Sequence, residues 1–399
     1  MLLDLDIGVA MRKDKYIVSN GNDRYFIVNG NTLKMIRSLQ SNSTIESAYS
    51  AYLRDHGQEV TFEHFQKVSD NLTDRFKSRR EDILNQYLYL KIKIIPSRIA
   101  GKLGRVFTFL FNGKLFYPLL LCGLLINIIN SLLLFSGNLK ASGLNFSVEA
   151  AFMYGILLMA APVIHEFGHI AGCEKYGARH GAIGIGFYFI FPVFYSDVSG
   201  IWMITRNDRI KVNLGGIYFE LIYMLLLLAI SLITQSYLFR VVSFINFTIL
   251  LQQLNPFLRY DGYWVLSDIL DYPNLKPNSK RAMIDIFNNI SGRRSVKLNR
   301  GAALLAVFGF MSYGIILILL FVIFFSYTRE IVEFPITVFR LVRDLISGNP
   351  DMSSVNFGVL IMAALFYFLI IQLIWRTIKI RFFKRDRKSE PNKNSRIIN

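Results

Sequence analysis

Cysteine is nearly absent: Cys122 and Cys173 are the only two in 399 residues. That is too few for a disulfide framework; Cys122 falls in an apolar stretch, and Cys173 reads as a small buried thiol rather than a metal ligand. Charge is also sparse. Asp, Glu, Lys and Arg make up 18% of the chain, against roughly 25% in soluble domains. Acids are scarcer than bases, 28 against 45, which leaves a net charge of +17. No cleavable signal is expected, because the first 30 residues mix Asp, Lys, Arg and Asn with short apolar runs. Histidine occurs five times, and His56, His64 and His180 sit among polar neighbours as ordinary surface residues would.

Apolar residues fill the gap, at 53% of the chain, and mean hydropathy is +0.37. Segments without Asp, Glu, Lys or Arg run over 115–139, 150–165, 221–239, 241–258, 301–328 and 352–375. About 20 apolar residues span a bilayer, so six transmembrane helices are expected. The fourth is short and ends in Gln252, Gln253 and Asn255. Basic residues alternate across these spans. They crowd the segment before the first (Arg98, Lys102, Arg105, Lys114), the connections after the second and fourth, and the tail from Arg376 to Arg396. The intervening connections hold few, so both termini are expected in the cytoplasm. Nucleic-acid binding is excluded, since the basic tail lacks interleaved aromatics.

Against this background, His165-Glu166-Phe167-Gly168-His169 stands inside an apolar stretch. Imidazoles at i and i+4 lie one turn apart on one helical face, where both can ligate a Zn²⁺, and Glu166 lies close enough in arc to handle a water on that metal. Ionisable groups within a membrane are costly and by default functional; an acid at a helix centre costs roughly 2.5–3.5 kcal/mol. A bound zinc can offset that several times over. A catalytic zinc takes one further protein ligand. Glu220, opening a long apolar run, and Asp261, after Asn255-Pro256, are the two candidates. The helix break at Pro256 favours Asp261, which is expected on non-helical chain facing a cavity, with Gly262 permitting an unusual backbone. Glu220 reads as a supporting or helix-packing group. Asn255, Glu220 and Asp197 are the candidate substrate-binding residues. Asn255 would bond substrate backbone or an oxyanion, and Asp197 would orient a ligand histidine or form a turn.

Ala161, Gly168 and Gly172 share one stripe of the histidine helix, so a neighbouring helix is expected to approach closely there. Residues 181–205 are rich in Gly, Phe, Ile and Tyr and are broken by Pro192, which predicts a β-hairpin or re-entrant sheet dipping toward the metal. Its free edge would hold an extended substrate, or the loop would plug the site. Residues 1–85 predict a soluble α+β domain. Two strands flank Asn20-Gly21-Asn22-Asp23, and three short helices follow, the second opened by a capping box at Ser43-Thr44-Ile45-Glu46. Residues 86–114 predict a bridge with an interfacial helix at Arg98–Phe111.

The pairing of His165-Glu166-Phe167-Gly168-His169 with Asn255-Pro256 and Asp261-Gly262 resembles the site-2 protease family of intramembrane zinc metalloproteases. Phe191-Pro192-Val193-Phe194-Tyr195-Ser196-Asp197 and Asp261-Gly262-Tyr263-Trp264 are similar to its peptide zinc metalloprotease branch, which accompanies ribosomally made, modified peptides. The resemblance covers about residues 85–275. It implies zinc held by His165, His169 and Asp261, Glu166 as general base, and a bacterial cell membrane. It also implies a precursor peptide or membrane protein as substrate. Relatives often carry Asn where Glu220 stands, and many carry Leu where Tyr260 stands.

The N-terminal domain resembles the winged-helix domains that bind leader peptides, which implies a leader on its strand edge. The expected architecture is therefore a polytopic α-helical membrane protein with a winged-helix-like domain at 1–85 and a linker at 86–114. The protease-like domain covers 115–376 and a basic tail 377–399. Two other readings stay open: a non-catalytic zinc-containing receptor or immunity protein, and an ion-coupled transporter.

Overall fold

Helices dominate the computed structural model, which describes residues 6–11, 15–19, 25–56, 60–77, 89–136, 148–188, 191–272, 275–292 and 300–347. It adds single residues between 360 and 371 and the pair 396–397. Two compact units emerge, one of residues 1–275 with 395–399, the other of residues 276–394.

The first unit opens with three strands, β1 (Asp6–Met11), β2 (Lys15–Ser19) and β3 (Tyr25–Asn29), paired antiparallel in that order. Strand alternation gives this sheet two working faces. Val18, Phe26 and Val28 point into a core with Leu33, Ile36, Leu39, Tyr52 and Phe65. These come from α1 (Gly30–Ser41), α2 (Ile45–His56) and α3 (Phe62–Lys77). On the other face, Ile17, Tyr25 and Ile27 pack against Trp202 and Met203. The sequence had given two strands; β1 is an addition, and the expected turn at residues 20–24 lies outside the described residues. The second helix is capped one residue later than the motif suggested: Thr44 Oγ1 accepts from the Ser47 amide at 3.2 Å. Arg396–Ile397 pairs with the outer edge of β3.

A second sheet, in the order β4–β5–β6, comprises β4 (Tyr89–Ile95), β5 (Ile183–Tyr188) and β6 (Phe191–Ser196). The hairpin of β5 and β6 is the one expected from composition. The pairing of β4 with β5 was not, because the alternation of apolar and basic residues at 89–95 points equally to a free interfacial strand. Pro96 ends β4 and opens α4 (Ser97–Val106). This helix buries Ala100, Gly101 and Gly104 and exposes Ile99, Leu103 and Val106.

Among the described residues, four helices are long and apolar enough to cross a membrane: α5 (Gly113–Phe135), residues Ala151–Tyr176 of α6 (Val148–Tyr176), α8 (Gly215–Thr234) and, in the second unit, Gly301–Ser326 of α12 (Arg300–Ser326). Leu121, Leu125, Ile129 and Leu132 of α5 are more than half exposed although fully apolar. A lipid-facing surface reads this way and a water-facing one does not. Of the six expected spans, the segment at 241–258 forms α9 (Tyr237–Gln253), which at 17 residues is shorter than the others, and most of 352–375 lies outside the described residues. Two short helices complete the first unit, α7 (Arg206–Asn213) and α10 (Asp261–Ile269). The second unit holds most of α11 (Leu275–Ile290), then α12 and α13 (Thr328–Ile346). Of the basic tail, only residues 396–397 are described.

Candidate metal centre

The centre is built on the buried face of α6. His165 and His169 are 7% and 6% exposed, and α6 presents both because the stripe beside them is small. A Cβ on Gly168 would stand 2.1 Å from the Gly215 carbonyl oxygen, and one on Gly172 would press on the Phe111 ring and the Val212 backbone. Backbone therefore meets backbone where α6 crosses the start of α8. Ala161, on the same stripe, is buried. The neighbour admitted by these residues is α8, with α7 just before it, rather than the element carrying Asp261.

Asp261 arrives differently from expectation. It is the first residue of α10, not a residue of irregular chain. The irregular chain is the preceding break, residues 254–260. Here Asn255 Oδ1 accepts from the Phe257 amide at 2.9 Å and Pro256 bars any return to helix. Gly262 is needed for close approach rather than for an unusual φ, since a Cβ there would lie 2.1 Å from the Leu254 carbonyl oxygen. The chain folds back tightly on the end of α9, and the Asp261 carboxylate reaches the histidines.

Nε2 of His165 lies 2.9 Å from Asp261 Oδ2 and 3.0 Å from His169 Nε2, and His169 Nε2 lies 3.3 Å from the same oxygen. These three residues are the one group among the described residues whose donor atoms could together hold a metal. Ligand atoms on a tetrahedral zinc with bonds of about 2.0–2.2 Å sit roughly 3.3 Å apart, so the triangle fits. Chemistry fits as well. His169 Nδ1 lies 2.8 Å from the Val212 carbonyl oxygen, which can only accept, so the neutral ring carries its proton there and offers a bare lone pair at Nε2. Asp261 Oδ2 is buried without a hydrogen-bond partner among the described residues. A deprotonated carboxylate is what a metal requires.

Glu166 is half-buried, and its Oε2 accepts from the Ser196 hydroxyl at 2.5 Å. Ser196 ends β6, so this bond ties the second sheet to the residue beside the first histidine. Glu220 is 3% exposed and stands behind His165, with Oε1 3.5 Å from Nδ1, away from the three converging atoms. Asp197 is engaged in its own turn, where Oδ1 accepts from the Ser199 amide at 3.0 Å and the Ser199 hydroxyl at 2.7 Å. It also lines a cavity of about 550 Å³ with Cys173, Glu174 and His180, which none of the three donor residues borders. Asp197 thus takes the turn role of the two expected. Asn255, likewise, spends its carbonyl oxygen on the break.

Two features escaped sequence reasoning. One is the buried network of Arg209, Asn213 and Asp268. Arg209 Nε donates to Asp268 Oδ1 at 2.7 Å, and Asn213 Nδ2 donates to Oδ2 at 2.9 Å. Burial pushes the Asp268 carboxyl above its ordinary range, with the guanidinium pulling the other way. The signal was present: Asp268 follows Asp261 by seven residues, two turns on the same face. The other is His180, read as a surface residue. Its side chain is 9% exposed, with Nε2 3.1 Å from Glu174 Oε1. Cys173 is fully buried, as expected.

Over 121 residues the chain is 31% identical to a Bacillus subtilis (strain 168) protein named "Putative peptide zinc metalloprotease protein YydH". The match covers 29% of this chain and 48% of that protein, so the chain spans about half the length of the curated relative it matches. No family model matches the chain, and no solved structure matches it significantly. The likeness links the chain loosely to a protein named as a zinc metalloprotease, and zinc is the ion that the His165, His169 and Asp261 donors suit.

Proposed function

We propose that the chain is an intramembrane zinc metalloprotease of the site-2 protease type. It hydrolyses a peptide bond in a ribosomally made precursor peptide or a membrane-associated substrate. One observation carries the reading: two imidazoles and a carboxylate from separate elements converge within 3.3 Å in an apolar bundle, with Glu166 beside the first. His165, His169 and Asp261 would hold a zinc ion, which when bound would supply Lewis acidity to the scissile carbonyl and to a water.

The rest is done by side chains and backbone of this chain. Glu166 takes a proton from the attacking water and later delivers it to the leaving amine. Ser196, donating to Oε2 of Glu166, leaves Oε1 for that work and fixes the carboxylate against the sheet. The outer edge of β6 has no strand partner among the described residues. An extended substrate adding to that edge would pass beside Glu166 with its carbonyls exposed, which a helical substrate could not do. The N-terminal sheet, docked through Ile17, Tyr25 and Ile27 on Trp202 and Met203, is suited to hold a leader near the same place. The distribution of basic residues supports a cytoplasmic side for both termini, and hence for this sheet.

The test is Glu166→Gln in full-length protein reconstituted in lipid nanodiscs, with cleavage of amphipathic and transmembrane test peptides followed by mass spectrometry. The variant keeps its zinc and its fold and loses cleavage. Processing that survives the substitution, or ion flux that survives zinc removal, overturns the enzyme reading.

A further inference from the structure

Glu220 is the one charged residue in the 20-residue helix α8. It is 3% exposed, and an acid in an apolar span is not retained without a purpose that repays roughly 2.5–3.5 kcal/mol. Its surroundings point to that purpose. A neutral imidazole that ligates through Nε2 must carry its proton on Nδ1, and that N–H needs an acceptor. His169 has one in the Val212 carbonyl, at 2.8 Å. His165 Nδ1 has no hydrogen-bond partner among the described residues. The acceptor that faces it is Glu220 Oε1, at 3.5 Å.

The placement is a product of α8. Gly216 lies flat against the His165 ring, where a Cβ would come within 2.4 Å of Nε2. Glu220 follows one turn later and covers the rear of the same ring. From the last turn of α9, Gln253 Nε2 donates to Glu220 Oε1 at 3.3 Å, while Glu220 Oε2 has no hydrogen-bond partner among the described residues. The carboxylate therefore keeps lone pairs free. It also touches both arms of the donor set: the histidine helix directly, and the break leading to Asp261 through Gln253. Charge balance runs the same way, because a divalent cation with two neutral imidazoles and one carboxylate retains a positive charge that a second buried carboxylate offsets.

We propose that Glu220 is a positioning residue whose carboxylate accepts the Nδ1 proton of His165, fixing the tautomer and orientation that present Nε2 to the metal. This rests on the zinc reading above. Carboxylate partners of this kind contribute about 10–100-fold to metal affinity.

The measurement is zinc affinity of the full chain in nanodiscs, by competition with a chromophoric chelator, supported by the absorption spectrum of the Co²⁺ form. Glu220→Leu, which removes the acceptor, is expected to weaken zinc about 10–100-fold and to alter the Co²⁺ bands. Glu220→Gln, which keeps a carbonyl acceptor without the charge, is expected to fold and to lose a smaller factor. Helix content and thermal unfolding of the metal-free forms separate this from a packing defect. Wild-type affinity and an unchanged Co²⁺ spectrum in Glu220→Gln and in folded Glu220→Leu overturn the assignment alone. A wild-type chain that binds no zinc overturns the metal reading, and this assignment with it.

Discussion

Arg209 and Asp268 form an ion pair of 2.7 Å with side chains only 4% and 6% exposed, joining α7 to α10. The pair links the helix whose Val212 carbonyl faces His169 to the helix that begins with Asp261. Buried pairs seldom add net stability, because desolvation consumes the Coulombic gain; their value lies in register. Asp268→Ala leaves the guanidinium buried and unpaired, and is expected to cost about 3–5 kcal/mol and to release zinc. The double substitution Arg209→Met with Asp268→Leu is expected to restore thermal stability but not zinc affinity. Full zinc affinity in the double variant would show that the pair does not position Asp261.

Glycines in α6 divide sharply by environment. Gly168→Ala forces a Cβ toward the Gly215 carbonyl, whereas a Cβ on Gly155 meets nothing within 4 Å among the described residues. The first substitution is expected to destabilise by about 1–3 kcal/mol, the usual scale of overpacking, and to lower zinc content. The second is expected to be neutral in a thermal-shift assay. Equal behaviour of the two would mean that α6 and α8 do not cross where described.

Ser196→Ala removes the hydrogen bond to Glu166. A bond to a charged group contributes about 1.5–3 kcal/mol, so kcat on a test peptide is expected to fall at least tenfold, with zinc content and KM unchanged. A change confined to KM would place Ser196 in substrate binding instead.

Ile17, 1% exposed, lies on the sheet face that meets Trp202. Ile17→Arg is expected to release the N-terminal sheet, seen as faster limited proteolysis within β1 to α3, while zinc content stays unchanged. Cleavage of short test peptides is expected to persist, and that of leader-bearing precursors to fall.

Much of this was legible in the chain because the local signals were strong. The i, i+4 histidines in an apolar run, the small-residue stripe and the Asn255-Pro256 break each have few structural solutions. The N-terminal helices were marked by clear periodicity, and the hairpin of β5 and β6 by composition. What stayed hidden depends on tertiary partners. Asp261 looked like a loop residue because Pro256 and Gly262 flank it, yet Gly262 serves close packing at the start of a helix. Arg209 looked like one more cytoplasmic base, and His180 like a surface residue, because nothing local shows the carboxylates that bury them. The pairing of β4 with β5 joins residues about 90 positions apart, a distance over which no sequence periodicity reports.

The most direct measurement is the zinc content of the purified full-length chain, by mass spectrometry or atomic absorption, for the wild type and four variants. One zinc per chain is expected in the wild type and in Glu166→Gln, and less than about a tenth of that in His165→Ala, His169→Ala and Asp261→Ala. A wild-type chain without stoichiometric zinc, or an Asp261→Ala variant that keeps it at full affinity, would contradict the account.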